Sequence, residues 1–319
     1  MDGRPTLRHR CEYIAFRTVA SVAQALTPGG CRAVATALAT LILCLPRRLT
    51  RYHVAEANLK NAFGPDLRPA QIRQLVHGMW RHLFLLVAEM LQLPRRMRVE
   101  TVTDLIRFRH KREVVAALSS GRPVLLLSGH FGNWELAVSV FGLFGYRMGV
   151  IGRTLDNPYI ERWFRAFRGG TGHVPLAKKG SYEDMLALLS GGGALALLAD
   201  QDAGSGGVFV DFFGKPASTH KSLALLALEY DALICVGYAR RLDGDLTRHG
   251  MTRFELGCEA VVDPRDCRSN DPVREVTQAY TRALEDAIRR APEQYFWVHR
   301  RWKTEPDARA KKRLARKAA

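Results

Sequence analysis

Apolar residues in the first 45 positions gather in two runs, 19–26 and 33–45, with Pro28-Gly29-Gly30 between them. Pro46 closes the second run, and Arg47, Arg48 and Arg51 follow. That run is uncharged but falls short of the ~20 residues needed to cross a hydrocarbon core. The pattern predicts either two buried helices or a helical hairpin lying in a membrane interface, its arginines facing lipid headgroups. Residues 53–63 read as a short helix stopped by Gly64-Pro65. Across residues 69–93, Ile72, Leu75, Val76, Met79, Trp80, Leu83, Leu86, Val87 and Met90 recur at helical spacing and mark a long core helix.

From Pro123 the rhythm changes to short apolar runs alternating with helical stretches. Strands are expected at 124–128, 147–151, 194–199 and 233–240, and helices from 133 to 143, at 157–168, 181–189 and 219–230. Residues 200–217 read as a loop. Asp243-Gly244 between strand-like segments points to an antiparallel hairpin within 233–262. Residues 272–290 form a last amphipathic helix. The alternation predicts an α/β fold, with a largely parallel sheet covered on both faces. Three regions follow: an N-terminal helical membrane-docking region (1–64), a catalytic domain (65–305) and a basic tail (306–319).

Composition adds charge to this picture. The 319 residues carry 48 Lys and Arg against 31 Asp and Glu, a net +17, which calls for a polyanionic partner. No nucleic-acid motif is present and the basic residues interleave with apolar segments, so an anionic membrane surface fits better than nucleic acid. The six cysteines are scattered without metal or disulfide spacing, and read as thiols.

The chemistry concentrates in Ser128-Gly129-His130-Phe131-Gly132-Asn133-Trp134-Glu135. A strand ends, glycines flank a histidine and a helix begins, in the crevice at the carboxyl ends of the strands where α/β sites assemble. His130 in the turn and Glu135 in the first helical turn would let the carboxylate reach an imidazole nitrogen. The contact would fix the tautomer and make His130 a general base toward a hydroxyl. A structural histidine with an unrelated capping acid is the alternative. One His and one Glu are too few for a metal site. Asp200 and Asp202, after a strand, read as pins for the glycine-rich loop at 204–207. That loop, through Phe212-Phe213-Gly214, reads as a mobile wall for an acyl chain. Trp297, Arg300 and Arg301 read as closing the site, touching headgroups or packing.

The same block resembles the His-x4-acid segment of the lipid A biosynthesis late (lauroyl and myristoyl) acyltransferases. The resemblance extends through Asn58-Leu59-Lys60-Asn61-Ala62-Phe63, Arg153-Thr154-Leu155-Asp156-Asn157-Pro158, Arg168-Gly169, Asp200-Gln201, Phe212-Phe213-Gly214 and Trp297-Val298-His299-Arg300-Arg301. It implies a glycerol-phosphate-acyltransferase-like fold, an acyl carrier protein or acyl-CoA donor, a glycolipid acceptor and no cofactor. It also implies residence on the cytoplasmic face of the inner membrane. His130 and Glu135 would be catalytic, and Asn133, Arg153, Asn157 and Arg168 would bind substrate, the arginines by gripping a phosphate. Acylation of another lipid, such as a phosphoinositide mannoside or an aminolipid, is the alternative within the enzyme class. A non-catalytic relative that only docks on membranes is the alternative outside it.

Overall fold

The computed structural model describes residues 6–306, so most of the expected basic tail lies outside the described residues. The N-terminal hairpin consists of α1 (Leu7–Ala25) and α2 (Pro28–Cys44). Thr27 caps α2 by accepting the Gly30 N–H, and Pro28 opens the helix where its missing N–H costs nothing. α3 (Tyr52–Phe63) and α4 (Pro69–Arg96) follow. Cys31, Ala35 and Ala39 stand one turn apart on α2 and form the buried face that packs on α4, with Leu85 among their neighbours. The opposite face leaves Val34, Leu38, Leu41 and Leu45 exposed. α2 is therefore apolar on both sides, although no described helix is long and apolar enough to cross a membrane.

α5 (Val99–Leu105), β1 (Ile106–Arg109) and α6 (Lys111–Leu118) precede β2 (Val124–Ser128), α7 (Trp134–Leu143), β3 (Gly149–Gly152), α8 (Pro158–Gly169) and β4 (Val174–Ala177). The chain continues through α9 (Tyr182–Ser190), β5 (Ala194–Leu198), β6 (Val208–Phe212), β7 (Lys215–Thr219) and α10 (Ser222–Glu229). It ends in β8 (Leu233–Leu246), β9 (Thr252–Val262) and α11 (Pro272–Arg289). Seven strands form one sheet in the order β1-β9-β8-β2-β5-β3-β4, parallel throughout except for the β8/β9 pair. The expected fold class is found.

The central strands are buried on both faces, so they read as continuous apolar runs. Leu125, Leu127, Leu195, Ile234 and Val236 face the larger core, built with α3, α4, α9, α10 and α11. Val124, Leu126, Ala194, Ala196, Leu233 and Cys235 face α6 and α7. α3, grouped with the N-terminal region in the sequence reading, contributes Tyr52, Ala55, Leu59 and Ala62 to the larger core.

Two details differ from expectation. Asp243-Gly244 lies within β8, and the hairpin turns beyond it, where the Thr247 N–H donates to the Met251 carbonyl. Residues 200–217 are not a free loop: β6 and β7 form a hairpin whose two turn residues, Phe213 and Gly214, both have positive φ. That geometry matches the right-handed twist of the strands. Phe212 and Phe213 are buried against Trp302, Trp297 and Phe63, with Arg289 over the Phe213 ring, so this segment is core rather than a mobile acyl wall.

Candidate active site

β2 and β5 are neighbours, with Ser128 paired to Leu198. Two residues past each strand end, this register sets His130 beside Asp200. The His130 imidazole Nδ1–H donates to Asp200 Oδ1 at 2.8 Å, and the His130 backbone N–H donates to Oδ2 at 2.9 Å. Both carboxylate oxygens are engaged and Asp200 is 4% exposed. The paired ring nitrogen fixes the tautomer and leaves Nε2 as the basic atom. Trp134 meets the imidazole edge-on at 5.2 Å and Phe296 tilts against it at 5.9 Å. The glycines have steric reasons. A Cβ on Gly132, at φ +61°, would lie 2.2 Å from the Ala239 carbonyl oxygen. One on Gly129 would crowd Leu284 and Asp200.

Burial disfavours the imidazolium, but the Asp200 charge and hydrogen bond, aided by the Glu135 charge, outweigh it and raise the His130 pKa above the ordinary value. Burial works equally against the Asp200 carboxylate, yet the His130 charge and the hydrogen bonds from His130 lower its pKa. Tyr295 stands beside the same carboxylate. Burial, and then the Asp200 charge, hold its phenol protonated well above the usual range. His299 accepts the Asp202 N–H at 3.1 Å, and the Asp202 carboxylate accepts from the Gly204 N–H and the Thr304 hydroxyl. Asp202 thus pins the loop, whereas Asp200 is committed to His130.

The direct His130–Glu135 hydrogen bond expected from spacing does not form. Asn133 caps α7, which places Glu135 in its first turn, where the carboxylate takes a two-pronged grip from Arg168. Arg168 Nε donates to Oε2 at 3.1 Å and its terminal nitrogen to Oε1 at 2.6 Å. Burial works against the guanidinium, but the Glu135 hydrogen bond and charge prevail and raise its pKa. Glu135 therefore reaches the imidazole only through its field.

The remaining candidates fall into two kinds. Arg153, just past β3, is exposed and held only at its end by Asp156, at 3.2 Å. Asn133 and Asn157 are buried and their amides are occupied internally. Asn133 accepts the Leu136 N–H and donates to Glu89. Asn157 accepts from Tyr159 and Ile160 while donating to the His9 carbonyl and Glu12, tying α8 to α1. Both are helix caps: the Asn157 amide makes four hydrogen bonds and the Asn133 amide two. Arg301 and Trp297 are buried packing residues: Arg301 donates to the Ser218 carbonyl and Thr219, and Trp297 to the Pro292 carbonyl. No group of three or more His, Cys, Asp or Glu among the described residues could hold a metal ion.

Beside the dyad, a narrow apolar cavity of about 80 Å³ runs beneath α7. Ser128 and Trp134 line its end nearest His130, Glu135 and Arg168 one side, and Leu126, Val138 and Phe141 its apolar walls. Such an apolar cleft next to a half-buried base suits a flexible apolar chain with a reactive end.

The sequence comparisons bear on this arrangement. The model of a family described as bacterial lipid A biosynthesis acyltransferase matches residues 2–304. The chain is 28% identical over 214 residues to the lipid A biosynthesis lauroyltransferase of Escherichia coli, covering 66% of this chain and 65% of that protein. It is 28% identical over 193 residues to the lipid A biosynthesis palmitoleoyltransferase of Escherichia coli, covering 60% of this chain and 59% of that protein. The lipid A biosynthesis acyltransferase of Shigella flexneri gives the same figures. In each case the match spans less than two thirds of the relative's length.

Proposed function

Since the chain belongs to the bacterial lipid A biosynthesis acyltransferase family, we propose that it moves a fatty acyl chain from a thioester onto a hydroxyl of a lipid A-type glycolipid. The thioester is carried by acyl carrier protein or by CoA. The observation that carries this reading is the His130–Asp200 pair, whose imidazole packs on Trp134, a wall residue of the apolar cavity. A hydroxyl is a poor nucleophile until a base removes its proton during attack. His130 Nε2 takes that proton as the acceptor oxygen bonds to the thioester carbonyl carbon. Asp200 stabilises the imidazolium that results. When the tetrahedral intermediate collapses, the carbon–sulfur bond breaks and the imidazolium returns its proton to the departing thiolate.

In this reading Glu135 acts on His130 through space and holds Arg168 at the cavity wall. Arg168 and the exposed Arg153 supply charge for a phosphate on donor or acceptor. Asn133 and Asn157 support the site as caps. The test combines purified protein with acyl carrier protein and CoA thioesters and with a lipid A precursor, a phosphoinositide mannoside or an aminolipid as acceptor. Mass spectrometry should find the lipid A precursor one acyl chain heavier. Acylation of either other lipid, with the precursor untouched, would replace the acceptor, and no transfer at all would sink the enzyme reading.

We also place the protein on the membrane surface that holds its acceptor. Ile14, Val19 and Val22 of α1, and Leu38, Leu41 and Leu45 on or just after α2, are exposed beside exposed Arg47 and Arg48. Burying a leucine is worth about 1.5–3 kcal/mol. Leu38→Asp with Leu41→Asp should therefore lower partitioning into anionic vesicles by about tenfold or more. The fold should be unchanged, because these side chains face away from α4. Undiminished binding in flotation at moderate salt would remove the hairpin as the anchor.

A further inference from the structure

A second apolar cavity, open to the surface, lies beyond the first on the same face of the sheet and is lined by Phe108, Phe144 and Tyr146 among others. The two cavities share four wall residues: Val114 of α6, Phe141 of α7, and Leu256 and Gly257 of β9. Phe141 is half-buried, whereas Val114 and Leu256 are 8% and 7% exposed. The partition is thus built from three elements, each giving an apolar side chain. Gly257 cannot add to it, since a Cβ there would fall 2.4 Å from the Tyr238 ring. The width of the passage depends on the other three residues.

We propose that Phe141, with Val114 and Leu256, forms the stop that sets the length of acyl chain accepted. The proposal rests on the acyl-transfer reading. An acyl tail entering between Ser128 and Trp134 has two directions open. One leads to the Glu135–Arg168 ion pair, where apolar carbon would displace water from charged groups. The other is apolar as far as the shared wall. The tail takes the second direction, fills the inner cavity and ends on the Phe141 ring, with the outer cavity unused behind it. Each methylene that fits is worth about fourfold in affinity, and one that meets the wall forfeits this gain.

Phe141→Ala joins the two cavities, and Val114→Phe shortens the inner one. With a mixture of saturated acyl thioesters from short to long in competition, the wild type should prefer one length. Phe141→Ala should move that optimum several methylenes longer, and Val114→Phe should move it shorter. Binding of non-transferable acyl thioether analogues of the same lengths, measured by calorimetry, reads the partition independently of turnover. If no protein transfers acyl chains yet the binding optimum shifts as stated, the stop stands and the transfer reading fails. If transfer proceeds and neither variant, shown folded by its melting curve, changes the preferred length, the stop is refuted. A shift of Phe141→Ala toward shorter chains refutes it as well.

Discussion

His130→Ala is expected to slow acyl transfer by about 10²–10⁴-fold, the usual contribution of a positioned base. Asp200→Asn should approach the same loss, because an amide neither stabilises an imidazolium nor guarantees the tautomer with a basic Nε2. The double variant should be scarcely slower than His130→Ala alone, as for two residues acting as a unit. The pH dependence separates this from a structural role for Asp200. A base must be neutral to act, and the His130 pKa is raised above the ordinary value of about 6.5. In the wild type kcat/KM should fall as pH drops through that raised value. In Asp200→Asn the charge that outweighed burial is gone, so the acidic limb should move to lower pH. Stability follows the same pair with opposite signs at its two ends. The His130 contribution is full below its unfolded pKa and lost as pH rises through the raised folded one. That of Asp200 is present above its unfolded pKa and lost as pH falls through the depressed folded one. Unchanged limbs in Asp200→Asn, or multiplicative losses in the double variant, would separate Asp200 from the base.

The second large effect belongs to Glu135 and Arg168, and it shows first in stability. Their side chains are 7% and 23% exposed. Removing one partner of a fully buried pair costs about 3–5 kcal/mol, because the other charge is stranded. Water still reaches part of the guanidinium, so Glu135→Leu should cost at most about 3 kcal/mol, a fall in Tm of roughly 6–12 °C. Adding Arg168→Met removes the stranded charge and should restore most of the loss, since apolar replacements of a whole pair are often neutral. Activity should remain low in the double variant, because the Glu135 field at His130 and the Arg168 cation are both missing. Recovery of activity together with Tm would reduce the pair to scaffolding.

The contrast between these two carboxylates marks how far the sequence could be read. Element type and order were legible wherever local pattern decided them: the β2 turn, the capped start of α7, the long helix α4 and the alternation of strands and helices. His130 was legible because glycines isolate it at a strand end. Its partner was not, because proximity along the chain favoured Glu135 and nothing local reveals that β2 and β5 are neighbours. The ion pair of Arg168 was not legible, because its carboxylate lies 33 positions away. The Phe212-Phe213-Gly214 segment read as a loop because glycines and aromatics suit both a mobile wall and a tight turn. Tertiary packing against α11 and the closing Trp297 segment decided between them. Asn133 and Asn157 show the converse: both stand within family-like blocks, yet each is occupied as a helix cap by groups close in sequence.

The seating of His130 and Asp200 on paired strand ends has a consequence for the newly made chain. The two residues are separated by 70 positions and meet only through the β2/β5 register. A slip of one residue would turn the carboxylate to the opposite face of the sheet. During synthesis His130 leaves the ribosome well before β5 can dock, and until then its imidazole has neither a raised basicity nor a fixed tautomer. The His130–Asp200 contact therefore requires β5 to be docked beside β2. Completion of the central sheet is thus the step that joins base and carboxylate, and the pair inherits the cooperativity of the whole fold.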